Sequence, residues 1–202
     1  MRSGKGNKVK RTIFNTPIIT PAFRLLFRLG LRFVGWRVTG QLPDIPKFVI
    51  AGAPHTSNWD FVAFLAIVFI LKGDLRYMGK KEIFRWPVGG IFRFCGGVAV
   101  DRSKAQGLVE QTVQAIKEAD SFQLIITPEG TRKKVGNWKL GFYHIAKQAG
   151  VPISTGFVDS ITKTCGIGQT FTLTDDLEAD LKAIQGFFKD KVGINPELTS
   201  EL

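Results

Sequence analysis

Residues 47–60 read "KFVIAGAPHTSNWD", and this change from an apolar run to a polar cluster decides the fold. Residues 47–52 are typical of a buried strand, and residues 61–71 form an apolar run with the length of a helix. Ser57 is expected to cap this helix, which puts Asp60 in the third helical position of a helix-start pattern. The stretch therefore predicts a strand, a polar loop and a helix in succession.

The same alternation continues along the chain. Four more apolar runs predict strands at residues 75–79, 97–101, 122–128 and 153–159. Helices are expected after Ser103 and over residues 140–150, with an added edge strand at 169–174 and a closing helix at 175–191. We predict a single α/β domain with a mainly parallel or mixed central sheet flanked by helices. Only the two ends of the chain look loose.

The first 40 residues are basic and predict a tail followed by an amphipathic helix, before a main domain over residues 41–202. Arg24, Arg28 and Arg32 recur at intervals of four, which aligns them on one stripe of a helix otherwise rich in Leu, Phe and Trp. Such a helix suits a membrane interface, but a buried helix with one solvated edge has the same pattern. We expect no signal peptide and no transmembrane span, because no apolar run reaches about 18 residues.

The chain is strongly basic, with 28 Lys and Arg against 17 Asp and Glu. This excess favours anionic partners, which include nucleic acid, acidic headgroups and phosphorylated substrates. Cys95 and Cys165 are far apart and have no second Cys or His at metal spacing, which argues against a zinc site or a disulfide framework. We expect two buried structural thiols in a reducing cytoplasm.

Three polar clusters follow predicted strands, at residues 55–60, 101–103 and 128–134. Because ligand sites in open α/β sheets form at the carboxyl ends of strands, we expect the clusters to share one site. A carboxylate at Asp60 bonded to His55 would make the other imidazole nitrogen a better general base. The alternative is that Asp60 only caps the helix. His144 has no carboxylate within one helical turn, so we expect it to be structural.

The cationic residues and glycines of the other clusters are suited to binding an anion. Gly130 turns the chain and exposes backbone N–H groups beside Thr131, while Arg132 offers a planar pair of donors to a phosphate. Arg102 and Lys80 are further candidate ligands. Glu129 belongs to the same cluster, although it could instead pair with Arg132 or Arg102 to hold the loop. The sequence contains no nucleophile elbow, P-loop or dinucleotide fingerprint, which leaves a base with anion-binding groups.

The segments "HTSNWD", "GGVAVDR", "TPEGTR" and "VPIS", in this order, resemble the four sequence blocks of the glycerolipid acyltransferase superfamily. The resemblance implies transfer of a fatty acyl group from a coenzyme A or acyl carrier protein thioester to a glycerol-type hydroxyl. It implies His55 as general base, Asp60 as its partner, and Arg102 with residues 129–132 as ligands of the acceptor's phosphate. It implies no permanently bound cofactor.

The resemblance also implies a peripheral protein at the cytoplasmic face of an anionic membrane, with a lysophospholipid as acceptor. The alternative is a non-catalytic basic module that only binds membranes. Nucleic acid is not expected as a partner, because the basic residues are spread over tail, first helix and loops without a recognition helix or stacking motif.

Overall fold

A computed structural model describes residues 12–100 and 105–201. The predicted helix cap Ser103 and the basic tail at residues 1–11 lie outside these ranges. Within the described residues, seven strands form one mixed sheet in the order β1-β7-β6-β2-β5-β3-β4. Their bounds are Arg37–Thr39 (β1), Lys47–Ala53 (β2), Leu75–Lys80 (β3), Gly97–Val100 (β4), Phe122–Ile126 (β5), Ile153–Asp159 (β6) and Thr164–Phe171 (β7).

Helices cover both faces of this sheet. They are Ile19–Phe33 (α1), Trp59–Leu71 (α2), Gly89–Phe94 (α3), Ala105–Glu118 (α4), Gly141–Ala149 (α5) and Leu177–Phe188 (α6), with 3-10 turns at Lys81–Phe84 and Pro196–Leu198. Alternate side chains of β2 enter two cores, because successive residues of a strand point to opposite faces. Val49 and Ala51 pack with residues of α4, α5 and α6, whereas Phe48 and Ile50 pack with α1 and α2. The predicted α/β fold is confirmed.

The β7 strand differs from its prediction. It begins at Thr164 rather than at residue 169, and it runs antiparallel to β6. It is not an edge strand, because the three-residue β1 pairs in parallel with its outer side, Val38 opposite Cys165. So short a strand has no sequence signal of its own, since its stability comes from the partner that the fold brings to it.

The start of α2 also differs from its prediction. The helix begins at Trp59, and its N-cap is Asn58, whose side chain makes no capping hydrogen bond. Ser57 is therefore not the cap, and Asp60 is the second helical residue rather than the third. The Asp60 carboxylate itself accepts the N–H groups of Thr56 and Ser57, both at 2.8 Å. These charged hydrogen bonds hold the loop before the helix, and Ser57 Oγ accepts the N–H of Trp59 at 3.2 Å.

The α1 helix lies on the surface. Phe23 and Phe27 stack on Phe69 of α2, with ring centroids 5.3 and 5.5 Å apart. None of the residues of α1 is buried, so the alternative of a buried helix with one solvated edge is wrong. Its outer face exposes large apolar side chains, namely Leu25, Leu26, Leu29 and Phe33. Across the two described ranges, no helix has both the length and the apolar character to span a bilayer.

Candidate active site

His55 and Asp60 meet at the carboxyl edge of the sheet. His55 follows the end of β2, and its Nδ1 lies 3.0 Å from Asp60 Oδ2. Asp60 is 8% exposed, while His55 is 29% exposed at the mouth of a cavity. Because an ionised carboxylate only accepts hydrogen bonds, Nδ1 carries the proton and Nε2 is left as the acceptor. The same Asp60 oxygen also holds the loop, so the capping and orienting roles coexist.

Glu129 joins two of the predicted clusters. It is 3% exposed, and its Oε2 accepts the backbone N–H of His55 at 2.8 Å. Burial raises the pKa of Glu129, and this effect outweighs the hydrogen bond and the charge interaction with His55, which lower that pKa. The carboxylate thus binds the histidine loop rather than Arg132, and it faces inward.

Gly130 is the member of the same loop that reaches the cavity. Its φ is +65°, and a Cβ there would lie 2.9 Å from Lys139 Nζ. Lys139 also lines the cavity, and its backbone N–H donates to Pro128 O at 2.8 Å. Sequence reasoning missed Lys139, because only this return of the chain toward Pro128 brings it to the cavity that His55 also lines. Lys139 is exposed, which leaves its ammonium group accessible to an anion.

The other predicted anion ligands are less well defined. Arg132 is exposed and Thr131 is half-buried, its Oγ1 accepting the N–H of Lys133 at 3.4 Å. Neither is part of the cavity lining. The backbone of Lys80 ends β3. The side chain of Lys80 and the whole of Arg102 are not among the parts of the chain that the structure describes. All four remain predictions.

The cavity beside His55 has a volume of about 1010 Å³ and is lined mainly by apolar side chains. One part lies between α2 and the sheet, and the other lies between α4 and α5. Gly52 and Gly156, neighbours in register, widen the first part. Apolar side chains line that part, namely Phe61, Phe64, Ile67, Leu75, Tyr77 and Ile125. The second part contains Leu108, Val109, Phe142 and Ile145, with His144 exposed at its rim.

The carboxyl-terminal segment packs against the site, contrary to the expectation of a loose end. Asn195 donates its backbone N–H to Thr56 Oγ1 at 3.0 Å and its side-chain amide to Thr56 O at 2.8 Å. Ser200 Oγ accepts the N–H of Val135 at 3.1 Å. These bonds connect the loop after β2 and the loop after β5 to one segment, a long-range arrangement that composition does not reveal.

The two cysteines are free thiols, and only Cys165 is buried as expected. Cys165 is buried in the sheet, and burial raises its pKa to about 12. Cys95 is half-buried, and burial raises its pKa as well. Raised pKa values disfavour the thiolate, so neither residue is suited to nucleophilic attack. Among the described residues, no group of His, Cys, Asp or Glu is arranged to hold a metal ion.

Comparison with known proteins agrees with this geometry. The profile of a family described as Acyltransferase matches residues 37–158, more than half of the chain. The chain belongs to this acyltransferase family. The resemblance found in the sequence is thereby confirmed, and the chain is a member of an enzyme family.

Two relatives define the similarity further. The chain is 35% identical over 105 residues to a 1-acyl-sn-glycerol-3-phosphate acyltransferase of Cocos nucifera, covering 49% of this chain and 33% of that protein. It thus spans about a third of the length of this relative. The crystal structure of a 1-acyl-sn-glycerophosphate acyltransferase from Thermotoga maritima has the same fold, with a TM-score of 0.60 at 17% identity. That alignment covers 84% of this chain and 76% of the other.

Proposed function

We propose that this acyltransferase moves a fatty acyl group from a thioester donor to the hydroxyl of a lysophospholipid or a related glycerol-phosphate acceptor. The observation that carries the proposal is His55, oriented by a buried Asp60, at the mouth of a large apolar cavity. A general base fits a hydroxyl nucleophile, and an apolar cavity fits a fatty chain.

The residues support a direct transfer. His55 Nε2 takes the proton of the acceptor hydroxyl as that oxygen bonds to the thioester carbonyl carbon. The C–S bond then breaks, and the imidazolium returns the proton to the departing thiolate. Asp60 stabilises the imidazolium during the transfer. Such acid–base assistance contributes roughly 10² to 10⁴ in rate, and positioning of the two substrates adds to it.

Basic groups near His55 suit a phosphorylated acceptor. Lys139 lies beside Gly130 at the cavity, and Arg132 extends from the same loop into solvent. We infer that a phosphate group contacts these cations while the hydroxyl faces His55, with Arg102 and Lys80 as further ligands. The names of both relatives, which include a glycerophosphate acceptor, favour this substrate class.

The exposed residues of α1 favour activity at a membrane surface. We propose that α1 lies in the interface of the cytoplasmic leaflet, with its exposed leucines among acyl chains and Arg28 and Arg32 among phosphates. On this proposal residues 1–40 attach the protein peripherally, and residues 41–202 carry the chemistry. Either coenzyme A or acyl carrier protein would supply the acyl group.

The experiment that tests this function follows thiol release. Purified protein is incubated with oleoyl-coenzyme A or oleoyl-acyl carrier protein and a panel of lysophospholipids, sugar lipids and amino-acid lipids. We expect thiol release that depends on a lysophospholipid and matches the diacyl product. Absence of acceptor-dependent release with every donor would contradict the proposal and favour the non-catalytic membrane-binding module.

Arg132→Ala separates a ligand of the phosphate from a structural residue. If the guanidinium contacts the acceptor's phosphate, the apparent KM for the acceptor should rise about tenfold or more, whereas KM for the thioester should change little. Steady-state kinetics with each substrate varied in turn measures the difference. A lower Tm with unchanged KM values would show that Arg132 only stabilises the loop.

A further inference from the structure

Residues 81–94, which connect β3 to β4, carry a second exposed apolar surface; we call them the α3 segment. Trp86 is 93% exposed and Ile91 is 64% exposed, with Ile83 and Val88 partly exposed beside them. The charged side chains of the segment are Lys81, Glu82, Arg85 and Arg93, all exposed, so basic groups outnumber acidic ones by three to one. Exposed tryptophan flanked by arginine is the composition that favours the interface of an anionic bilayer.

The exposure of Trp86 is fixed by packing around Phe84. This ring is 3% exposed, and added Cβ atoms at Gly79 and Gly97 would lie within 2.7 Å of it. Arg93 lies over the same ring at 5.5 Å from its centroid. Phe84 thus holds the first part of the α3 segment against the sheet. The fold therefore presents the apolar side chains of the segment outward rather than leaving them in a loose loop.

The α3 segment lies on the same face of the sheet as α1 and α2. Ile13, which precedes α1, donates its backbone N–H to Phe94 O at 2.8 Å. Tyr77 donates its hydroxyl to Phe92 O at 3.3 Å, and the Tyr77 ring packs edge-on against Phe61 of α2. The α1 helix and the α3 segment consequently belong to one layer of the molecule.

Phe61 connects this layer to the cavity. Its side chain is exposed, and it also lines the part of the cavity between α2 and the sheet. Trp59 and Val62, also on α2, are exposed nearby in sequence. Phe61 therefore lies between the cavity and the surface, and its ring contacts Tyr77, whose hydroxyl is bonded to the α3 segment. A lipid chain that enters there from a bilayer would not cross water.

We infer that the α3 segment is a second membrane-contact site, separate from α1, and that it places the opening of the cavity against an anionic bilayer. Trp86 and Ile91 enter the acyl boundary, and Arg85 and Arg93 contact lipid phosphates. The lipid-entry role rests on the proposed acyl transfer, whereas the membrane contact does not.

The double variant Trp86→Ser/Ile91→Ser tests the contact. Both side chains are exposed, so the fold should be retained, which Tm and circular dichroism check. Co-sedimentation uses vesicles of phosphatidylcholine with phosphatidylglycerol and, in parallel, phosphatidylcholine alone. We expect the variant to need about tenfold more anionic lipid for half-maximal binding. Ile45→Ser, an exposed residue on the loop before β2, is the matched control and should bind as the unmodified protein does.

Turnover assays test the entry role. A long-chain lysophospholipid in vesicles and a short-chain one dissolved as a monomer are compared as acceptors. We expect the double variant to lose most of its rate on vesicles and to keep its rate on the monomer. Unchanged vesicle binding would overturn the inference, and equal losses with both acceptors would overturn the entry role. If the unmodified protein turns over neither acceptor, the proposed function fails while the vesicle-binding result still decides the contact.

Discussion

Asp60 shows how one side chain can serve two demands. Its Oδ2 accepts from the His55 imidazole and from the N–H groups of Thr56 and Ser57. Sequence reasoning treated helix capping and base orientation as alternatives, because spacing alone cannot show how many donors one carboxylate oxygen meets. In the fold the backbone bonds hold the carboxylate that orients the ring. The same Asp60 oxygen therefore holds the loop and orients the imidazole.

Glu129 gives a prediction about pH and stability. Its folded-state pKa is raised by burial, so the folded protein holds this proton more tightly than the unfolded chain does. The stability from this group is complete below about pH 4.5, the ordinary pKa of glutamic acid, and is lost as pH rises through the folded value. Glu129→Gln keeps an acceptor for His55 N–H but removes the titration.

We therefore expect Glu129→Gln to become more stable relative to the unmodified protein as pH rises above about 4.5. The quantity compared is the free energy of unfolding of the two proteins. Urea unfolding at several pH values measures this difference, with the exposed Glu197→Gln as control. A difference between the two proteins that stays constant with pH would contradict the account of Glu129.

At the scale of elements, the loop after β2 depends on a segment far away in sequence. Asn195 makes two hydrogen bonds to Thr56, which is 2% exposed and precedes the helix start. Glu129 supports the same loop by accepting the N–H of His55. The position of His55 is consequently set by two distant segments as well as by its own strand and helix.

Asn195→Ala tests this dependence. The variant loses the side-chain bond to the buried Thr56 carbonyl, which should cost about 1 to 3 kcal/mol of stability. The looser histidine loop should also lower kcat more than it changes KM for either substrate. Tm and steady-state kinetics measure the two effects. Asn58→Ala is a matched control, because Asn58 is exposed and makes no capping bond, and a similar loss in both variants would contradict the role of Asn195.

At the scale of the whole molecule, the sequence predicted those strands and helices that a local pattern of residues determines. The succession from β2 through the polar loop to α2 follows from apolar runs and helix-start residues, and so do the other parallel strands. Contacts between distant segments were not predictable, because a short strand such as β1 or a single Lys139 carries no periodic signal. The resemblance of the sequence blocks implied roles for His55, Asp60 and residues 129–132, but it did not imply the cavity, which has parts on both faces of the sheet.

The cavity predicts a limit on acyl chain length. A Cβ on Gly156 would lie 2.6 Å from Ile50 Cγ2, so Gly156→Ala should push the Ile50 side chain and shorten the part beneath α2. The longest accepted chain should lose about fourfold in kcat/KM, since one methylene contributes about 0.8 kcal/mol. Kinetics across lysophospholipid acceptors of increasing chain length measure this, with Gly136→Ala, which has open space around it, as control. An equal loss at all lengths would contradict an acyl chain beneath α2.

The central claim is that His55 removes the proton of the acceptor hydroxyl, and His55→Ala tests it most directly. The measurement is acceptor-dependent thiol release from an acyl thioester, made on protein whose circular dichroism and vesicle binding match those of the unmodified chain. The account predicts a fall of about 10² to 10⁴ in kcat. Release that continues at a rate close to that of the unmodified protein would contradict it.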